Sequence, residues 1–182
     1  DAALHMACLA FPHAQKIVTF EIGVHQGKTS RGIHQYITHI RGRGHHHVGI
    51  DNNKDLPVQK PFEGCELLIG DSVAMADRIP DNSIHFGLVD GDHSFIGVMR
   101  DFSAYRKKIM IGGFLAFHDT SPAIKDFTDH QNGPLDDKNS FISVRSALKE
   151  IGIEKSPDWK LVLSEYDPMA PTGGIMVFKR LV

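Results

Sequence analysis

No run in this 182-residue chain reaches the ~18 consecutive apolar residues that a membrane-spanning helix needs. Charge of neither sign is in excess: the net charge is -2, so no global field draws in nucleic acid or an anionic membrane. Cysteine is scarce. Cys8 and Cys65 stand at neither zinc-type nor redox-type spacing; such spare thiols suit a reducing cytosol and demand no disulfide. Aromatic residues are too thinly placed for a nucleic-acid patch, since the basic run Arg106, Lys107 and Lys108 has only Tyr105 beside it. The opening "DAALHMACLAF" lacks a basic n-region and is not read as a signal peptide. Repeats and low-complexity linkers are missing too. These absences leave a single domain over residues 1–182, expected in the cytoplasm, with neither nucleic acid nor membrane as partner.

What is present is an alternation of short apolar runs and amphipathic stretches. "KIVTFEIG", "HHHVGID", "CELLIGD", "IHFGLVDGD" and "GGFLAFHD" read as buried strands, and "WKLVLSEY" with "GIMVFKR" closes the chain as two more. Helical stripes lie between them. They are Ile33, Tyr36, Ile37 and Ile40 behind an N-cap at Thr29 or Ser30; Val73, Ala76 and Ile79, stopped by Pro80; Phe95, Val98, Met99, Phe102 and Tyr105 behind a cap at Asp92; and Val144, Ala147, Leu148 and Ile151. Continuous apolar strands separated by helices predict an α/β domain, Rossmann-like and doubly wound, with a mostly parallel seven-stranded sheet. No helix separates the last two strands, so one of them runs antiparallel near an edge. Three neighbouring histidines at 45 to 47 look like a metal cluster, but strand alternation sends adjacent residues to opposite faces, and they read as strand entry.

In such sheets ligands sit at the carboxyl ends of the strands. Five successive tips carry an acid: Glu21, Asp51, Asp71, Asp90 and Asp119. The first tip, "FEIGVHQGKTS", lacks the dinucleotide fingerprint, because the glycine after Gly23 is Gly27. It is no phosphate loop either, because Ile22 stands where that pattern needs glycine. Glu21 would repel a pyrophosphate but suits a donor carrying an amino group and a sulfonium. Asp51, 28 residues after Gly23, is placed for two ribose hydroxyls. Ribose recognition without a diphosphate pocket points to S-adenosylmethionine.

With Glu21, Gly23, Gly27 and Thr29, "GID" to Asp51, "GDS" at 70 to 72, "LVDGDHSF" and "GGFLAFHDT", residues 15 to 180 resemble class I S-adenosylmethionine-dependent methyltransferases. Within that class they resemble the small-molecule O-methyltransferase branch, with its catechol-type, macrolide-sugar and cephalosporin-hydroxylase-like proteins. The resemblance implies that Glu21, Gly23, Gly27, Thr29 and Ser30 hold the methionine end of the cofactor. It implies Asp51 for the ribose and Asp71 with Ser72 facing the adenine, and Asp90 is counted among the cofactor-binding residues as well. His25, between the two loop glycines, is tolerated because the backbone wraps the ligand.

Methyl transfer to oxygen is an in-line displacement that needs positioning and a way to make the hydroxyl nucleophilic, by a general base or a metal. The resemblance implies a divalent ion (Mg, Mn, Fe or Zn) on Asp90, His118 and Asp119, with His93 as the base. His118 departs from the carboxylate of catechol-type enzymes, and its nitrogen favours manganese, iron or zinc over magnesium. A non-catalytic cofactor-binding domain and a metal-dependent hydrolase are the competing functions. Residues 121 to 141, polar and rich in turn formers, read as a lid or insertion loop beside the acceptor.

Overall fold

The computed structural model describes residues 2–42, 44–57, 61–122, 143–166 and 173–182. Elements follow in the order α1 (Ala2–Ala10), β1 (Ile17–Ile22), α2 (Lys28–Arg41), β2 (His45–Asp51), β3 (Cys65–Ile69), α3 (Ser72–Ala76), β4 (Ile84–Val89), α4 (Phe95–Tyr105), β5 (Ile109–His118), α5 (Val144–Ile151), β6 (Trp159–Glu165) and β7 (Ile175–Arg180). The seven strands form one sheet in the order β3-β2-β1-β4-β5-β7-β6. All neighbours are parallel up to β5, and β7 runs antiparallel to both β5 and β6. The expected antiparallel strand is therefore the last one, inserted beside the edge.

Both faces of the sheet are covered. On one face Phe20, Ile22, Ile50, Leu115 and Phe117 meet Val98, Phe102 and Tyr105 of α4 and Ala147 and Leu148 of α5. On the other, Ile17, Phe86, Leu88 and Ala116 meet Ile33 and Ile37 of α2 and Ala3, Leu4 and Ala7 of α1. Helix α1 was not anticipated: its apolar residues are a packing surface for the sheet. Arg41, in the last turn of α2, ties it down by donating to the carbonyl oxygens of Cys8, Phe11 and Ala14 at 2.7–3.2 Å. Cys8 and Cys65 are both buried. No described helix is long and apolar enough to cross a membrane.

Two capping expectations are corrected. Helix α2 starts at Lys28 behind Gly27, whose left-handed φ of 66° reverses the chain, so Thr29 and Ser30 lie inside the first turn and cap nothing. Helix α4 is capped by Ser94, whose hydroxyl accepts from the Gly97 N–H, while Asp92 sits two residues earlier and accepts from the Ser94 N–H. The shifts run in opposite directions: the left-handed Gly27 lets α2 begin ahead of its expected caps, whereas the turn after β4 delays the start of α4 by two residues. Most of the expected lid, its residues 123–141, lies outside the described residues.

The winding direction reverses between β1 and β4, which opens a crevice at their carboxyl ends. All the tips named from the sequence surround that crevice or its flanks.

Candidate active site

The first tip is built by backbone geometry. Gly23 has φ 91°, and its N–H donates to the Ile50 carbonyl at 2.8 Å while the Asp90 N–H donates to the Ile22 carbonyl at 3.0 Å. The ladder thus runs past the strand ends and draws the β1 and β4 tips together. Residues 24–27 form a turn closed by the Gly27 N–H on the Val24 carbonyl at 2.7 Å. His25 adopts φ 47°, a conformation that costs a non-glycine residue about 1 kcal/mol. Its N–H is held by Asp51 Oδ2 at 2.9 Å, and Asp51 Oδ1 accepts from the Asn53 N–H at 2.9 Å. Asp51 therefore joins the first and second tips and keeps further lone pairs for a ligand.

Glu21 lies beneath α2, only 1% exposed, where it accepts a hydrogen bond from the Ser30 hydroxyl. His47, fully buried, brings Nε2 to 3.6 Å from the same oxygen. Thr29 is exposed beside Ser30 at the rim of the loop.

At the third tip Asp71 caps α3 by accepting from the Ala74 N–H at 3.1 Å and pairs with Arg100 at 3.2 Å. The Ser72 hydroxyl donates to Asp101 Oδ1 at 2.5 Å, and the buried Tyr105 phenol donates to the Ser72 carbonyl at 2.6 Å. Asp101 and Tyr105 thus fasten the tip from α4. Neither was foreseen, because the contact crosses 29 and 33 residues of sequence. Burial pushes the Asp101 carboxyl up to about 6, against the pull of the Ser72 hydrogen bond and with some help from the charge of Asp92. A carboxyl whose pKa rises on folding binds its proton more tightly in the folded state, so it subtracts stability as pH climbs from about 4 to about 6. Asp101→Asn keeps the acceptor for Ser72 and removes that loss. We expect it to raise stability by about 1–3 kcal/mol at pH 8 and to change little below pH 4. Urea melts at the two pH values measure this.

The fourth and fifth tips converge. His93 Nε2 lies 3.2 Å from Asp90 Oδ1 and 3.5 Å from Asp119 Oδ2; His118 Nδ1 lies 3.1 Å from Asp90 Oδ1 and 3.1 Å from Asp119 Oδ1. Asp119 reaches in because its backbone is left-handed at φ 55° just past the end of β5. The charges tune one another. Hydrogen bonds to Asp119 and Asp90 hold the His118 imidazole protonated up to about 10, against its partial burial. Burial lowers the pKa of His93, but the Asp90 hydrogen bond and the two carboxylate charges outweigh it, and the net shift is upward. Burial would raise Asp90; its hydrogen bonds to His118 and His93 outweigh burial and leave it below the ordinary range.

One oxygen or nitrogen from each of Asp90, His93 and Asp119 lies within 4.8 Å of the others, a spacing that a divalent cation fits. The sequence places His118 in that set and His93 outside it, whereas the structure brings both imidazoles to the same carboxylates. An open groove of about 790 Å³ begins at His118 and is lined by Ser164, Glu165, Tyr166, Gly174 and Ile175. These groove residues carried no sequence signal. They come from the antiparallel β6–β7 pair, and only the insertion of β7 beside β5 brings them to the site.

Comparison with known proteins agrees with this geometry. Residues 20–120 match the family described as a methyltransferase domain. The chain belongs to that family and is a class I S-adenosylmethionine-dependent methyltransferase. Among solved structures it is similar to a cofactor-bound protein from MTB (TM-score 0.65, 11% identity, 99% of this chain and 79% of that one). It is also similar to an O-methyltransferase from Bacillus cereus in complex with SAH (0.64, 16%, 98% and 80%). A third is a SAM-dependent methyltransferase from Archaeoglobus fulgidus (0.54, 12%, 98% and 93%). At such identities the likeness is one of fold. No curated protein matches the chain.

Proposed function

We propose that the protein transfers the methyl group of S-adenosylmethionine to a hydroxyl of a small molecule. The observation that carries this reading is the convergence of His93, His118, Asp90 and Asp119 at the β4 and β5 tips, beside the Gly23 loop. The likeness to an O-methyltransferase of Bacillus cereus supports it. In this reading the Gly23–Gly27 loop and the first turn of α2, with Thr29, take the methionine end, and the buried Ser30 acts there through Glu21. Asp51 takes the ribose with the lone pairs left by His25 and Asn53, and Asp71 and Ser72 border the adenine. The acceptor enters along the groove from Tyr166 to His118.

The donor is already activated, so the chain has to align the acceptor oxygen with the sulfonium methyl and receive one proton. His93 receives it. The new O–CH₃ bond forms as the S–CH₃ bond breaks, the electron pair of that bond goes to sulfur, and the hydroxyl proton passes to the imidazole. Asp90 and Asp119 stabilise the imidazolium that results, and the cationic His118 keeps those two carboxylates from repelling each other.

A divalent cation is a second reading, favoured by the mutual reach of Asp90, His93 and Asp119. Asp90 and Asp119 would hold it with one imidazole, and it would lower the pKa of the acceptor hydroxyl. The mixed nitrogen and oxygen set suits manganese, iron or zinc better than magnesium. If His93 is the ligand it is no longer the base; if His118 is, His93 keeps that role.

The test uses donor labelled on its methyl group and a panel of hydroxyl, amine and thiol acceptors, with products located by mass. Label recovered as a methyl ether supports the reading; label on nitrogen or sulfur alone, or no transfer with any acceptor, overturns it. Exhaustive chelation then separates the two versions. Loss of turnover, restored by manganese or zinc with product-cofactor binding unchanged, is the result expected of the ion; full retention assigns the activation to His93 alone.

A further inference from the structure

Beneath helix α2, away from the reacting groups, six side chains form one continuous buried chain: His34, His45, Thr19, His47, Ser30 and Glu21. Thr19, Ser30 and His47 are completely inaccessible, and His34 and His45 sit at its half-buried outer end. The methyl-transfer chemistry above uses none of its histidines. Strand alternation makes it possible: His45 and His47 share the face of β2 that looks at Thr19 and Glu21 of β1, while His46 turns away to Glu66.

With each imidazole carrying one proton, the hydrogen bonds can run in only one direction. A carboxylate only accepts, so the Ser30 hydroxyl donates to Glu21 Oε2. Ser30 Oγ then accepts from His47 Nε2–H at 3.2 Å. His47 Nδ1 is left bare and takes the Thr19 hydroxyl proton at 2.8 Å. Thr19 accepts from His45 Nε2–H at 2.9 Å, and His45 Nδ1 accepts from His34 Nδ1–H at 3.0 Å. Burial, with the neighbouring imidazoles, holds His45 down to about 3, and His34 is lowered for the same reasons. Both therefore carry the single proton that the chain requires. Phe62 stacks on His34 at 4.0 Å and covers the outer end.

Every donor dipole in this chain points toward Glu21. Its Oε2 takes Ser30, and no residue of the chain bonds Oε1. Glu21 is next to last in β1, at the carboxyl end that leads into the Gly23 loop, so Oε1 is the oxygen this chain leaves for a ligand.

We propose that Thr19, His47 and Ser30, backed by His45 and His34, are positioning residues for donor binding: their one-way chain holds Glu21 so that Oε1 receives the ammonium group of the donor's methionine end. This rests on the donor-site reading given above.

The test compares two ligands by calorimetry. S-adenosylhomocysteine carries the amino group; 5′-methylthioadenosine has the same nucleoside and sulfur without it. Thr19→Val keeps the side-chain shape and removes the relay hydroxyl, and Ser30→Ala removes the last link. Each is expected to weaken S-adenosylhomocysteine about tenfold while methylthioadenosine changes less than about twofold. His47→Leu behaves like Thr19→Val, and His47→Gln, whose amide can both donate to Ser30 and accept from Thr19, recovers most of the loss. Equal losses for both ligands, or unchanged S-adenosylhomocysteine binding in folded Thr19→Val and Ser30→Ala, overturn the proposal. A wild-type protein that binds neither ligand overturns the donor-site reading itself, and this inference with it.

Discussion

Replacing Gly23 with alanine is expected to abolish cofactor binding. An added Cβ would lie 2.1 Å from the Asp90 carbonyl oxygen, 2.7 Å from its carbon and 2.9 Å from Gly91 Cα. All three are backbone atoms, so no side chain can rotate away, and the φ of 91° is itself unfavourable for alanine. The β1 and β4 tips must part, which breaks the hydrogen bonds from Gly23 to Ile50 and from Asp90 to Ile22. We expect a stability loss of about 3 kcal/mol or more and at least about a hundredfold weaker binding of S-adenosylhomocysteine. Gly32→Ala is the matched control. That glycine lies within α2 with open space around its Cβ position, so alanine should stabilise by about 1 kcal/mol and leave binding intact. A Gly23→Ala protein that melts and binds like the wild type would show that the close approach of the two tips is unimportant.

His93→Ala is the second large effect. Removing a general base is expected to lower turnover by about 10²–10⁴-fold. Binding of S-adenosylhomocysteine should stay within about threefold, because His93 contacts the reacting side of the site and not the Gly23 loop. That split separates an enzyme from a non-catalytic cofactor-binding domain, in which no turnover exists to lose. Retained turnover in His93→Ala would remove the residue from the chemistry and shift attention to His118.

The two effects draw on different kinds of legibility. The Gly23 loop was readable because its signal is local: a β-branched and aromatic strand, an acid, and glycines four apart within eleven residues. Asp51, Asp71, Asp90 and Asp119 were readable because parallel strands all end on the same edge, so a residue's place at the end of an apolar run fixes its place in the fold. The capping residues were misplaced for a related reason. Thr29 and Ser30 have the right chemistry for a helix start, but Gly27 reverses the chain first; Ser94 outcompetes Asp92 because the turn after β4 extends two residues further.

His25 shows the limit of a pattern. Its left-handed backbone explains why glycine suits that position, and a partner 26 residues away, Asp51, compensates for the strain. The triple histidine is a sharper case. Alternation correctly separated His46 from its neighbours, yet no local pattern reveals that His45 and His47 meet Thr19, Ser30 and His34 from two other elements.

By itself the sequence determined the parallel α/β architecture, the antiparallel end, the order of the strand tips and the chemistry they carry. These follow from hydrophobic periodicity and chain reversal, which act over a few residues. Tertiary structure alone decided which groups touch. It brought His93 and His118 to the same pair of carboxylates, fastened Ser72 to Asp101, buried Glu21 at the end of a histidine chain, and placed Tyr166 and Glu165 beside His118 by inserting β7 next to β5. Such contacts depend on strand order and on left-handed turns such as that of Asp119, and these are set by packing of the whole sheet rather than by any single stretch of chain.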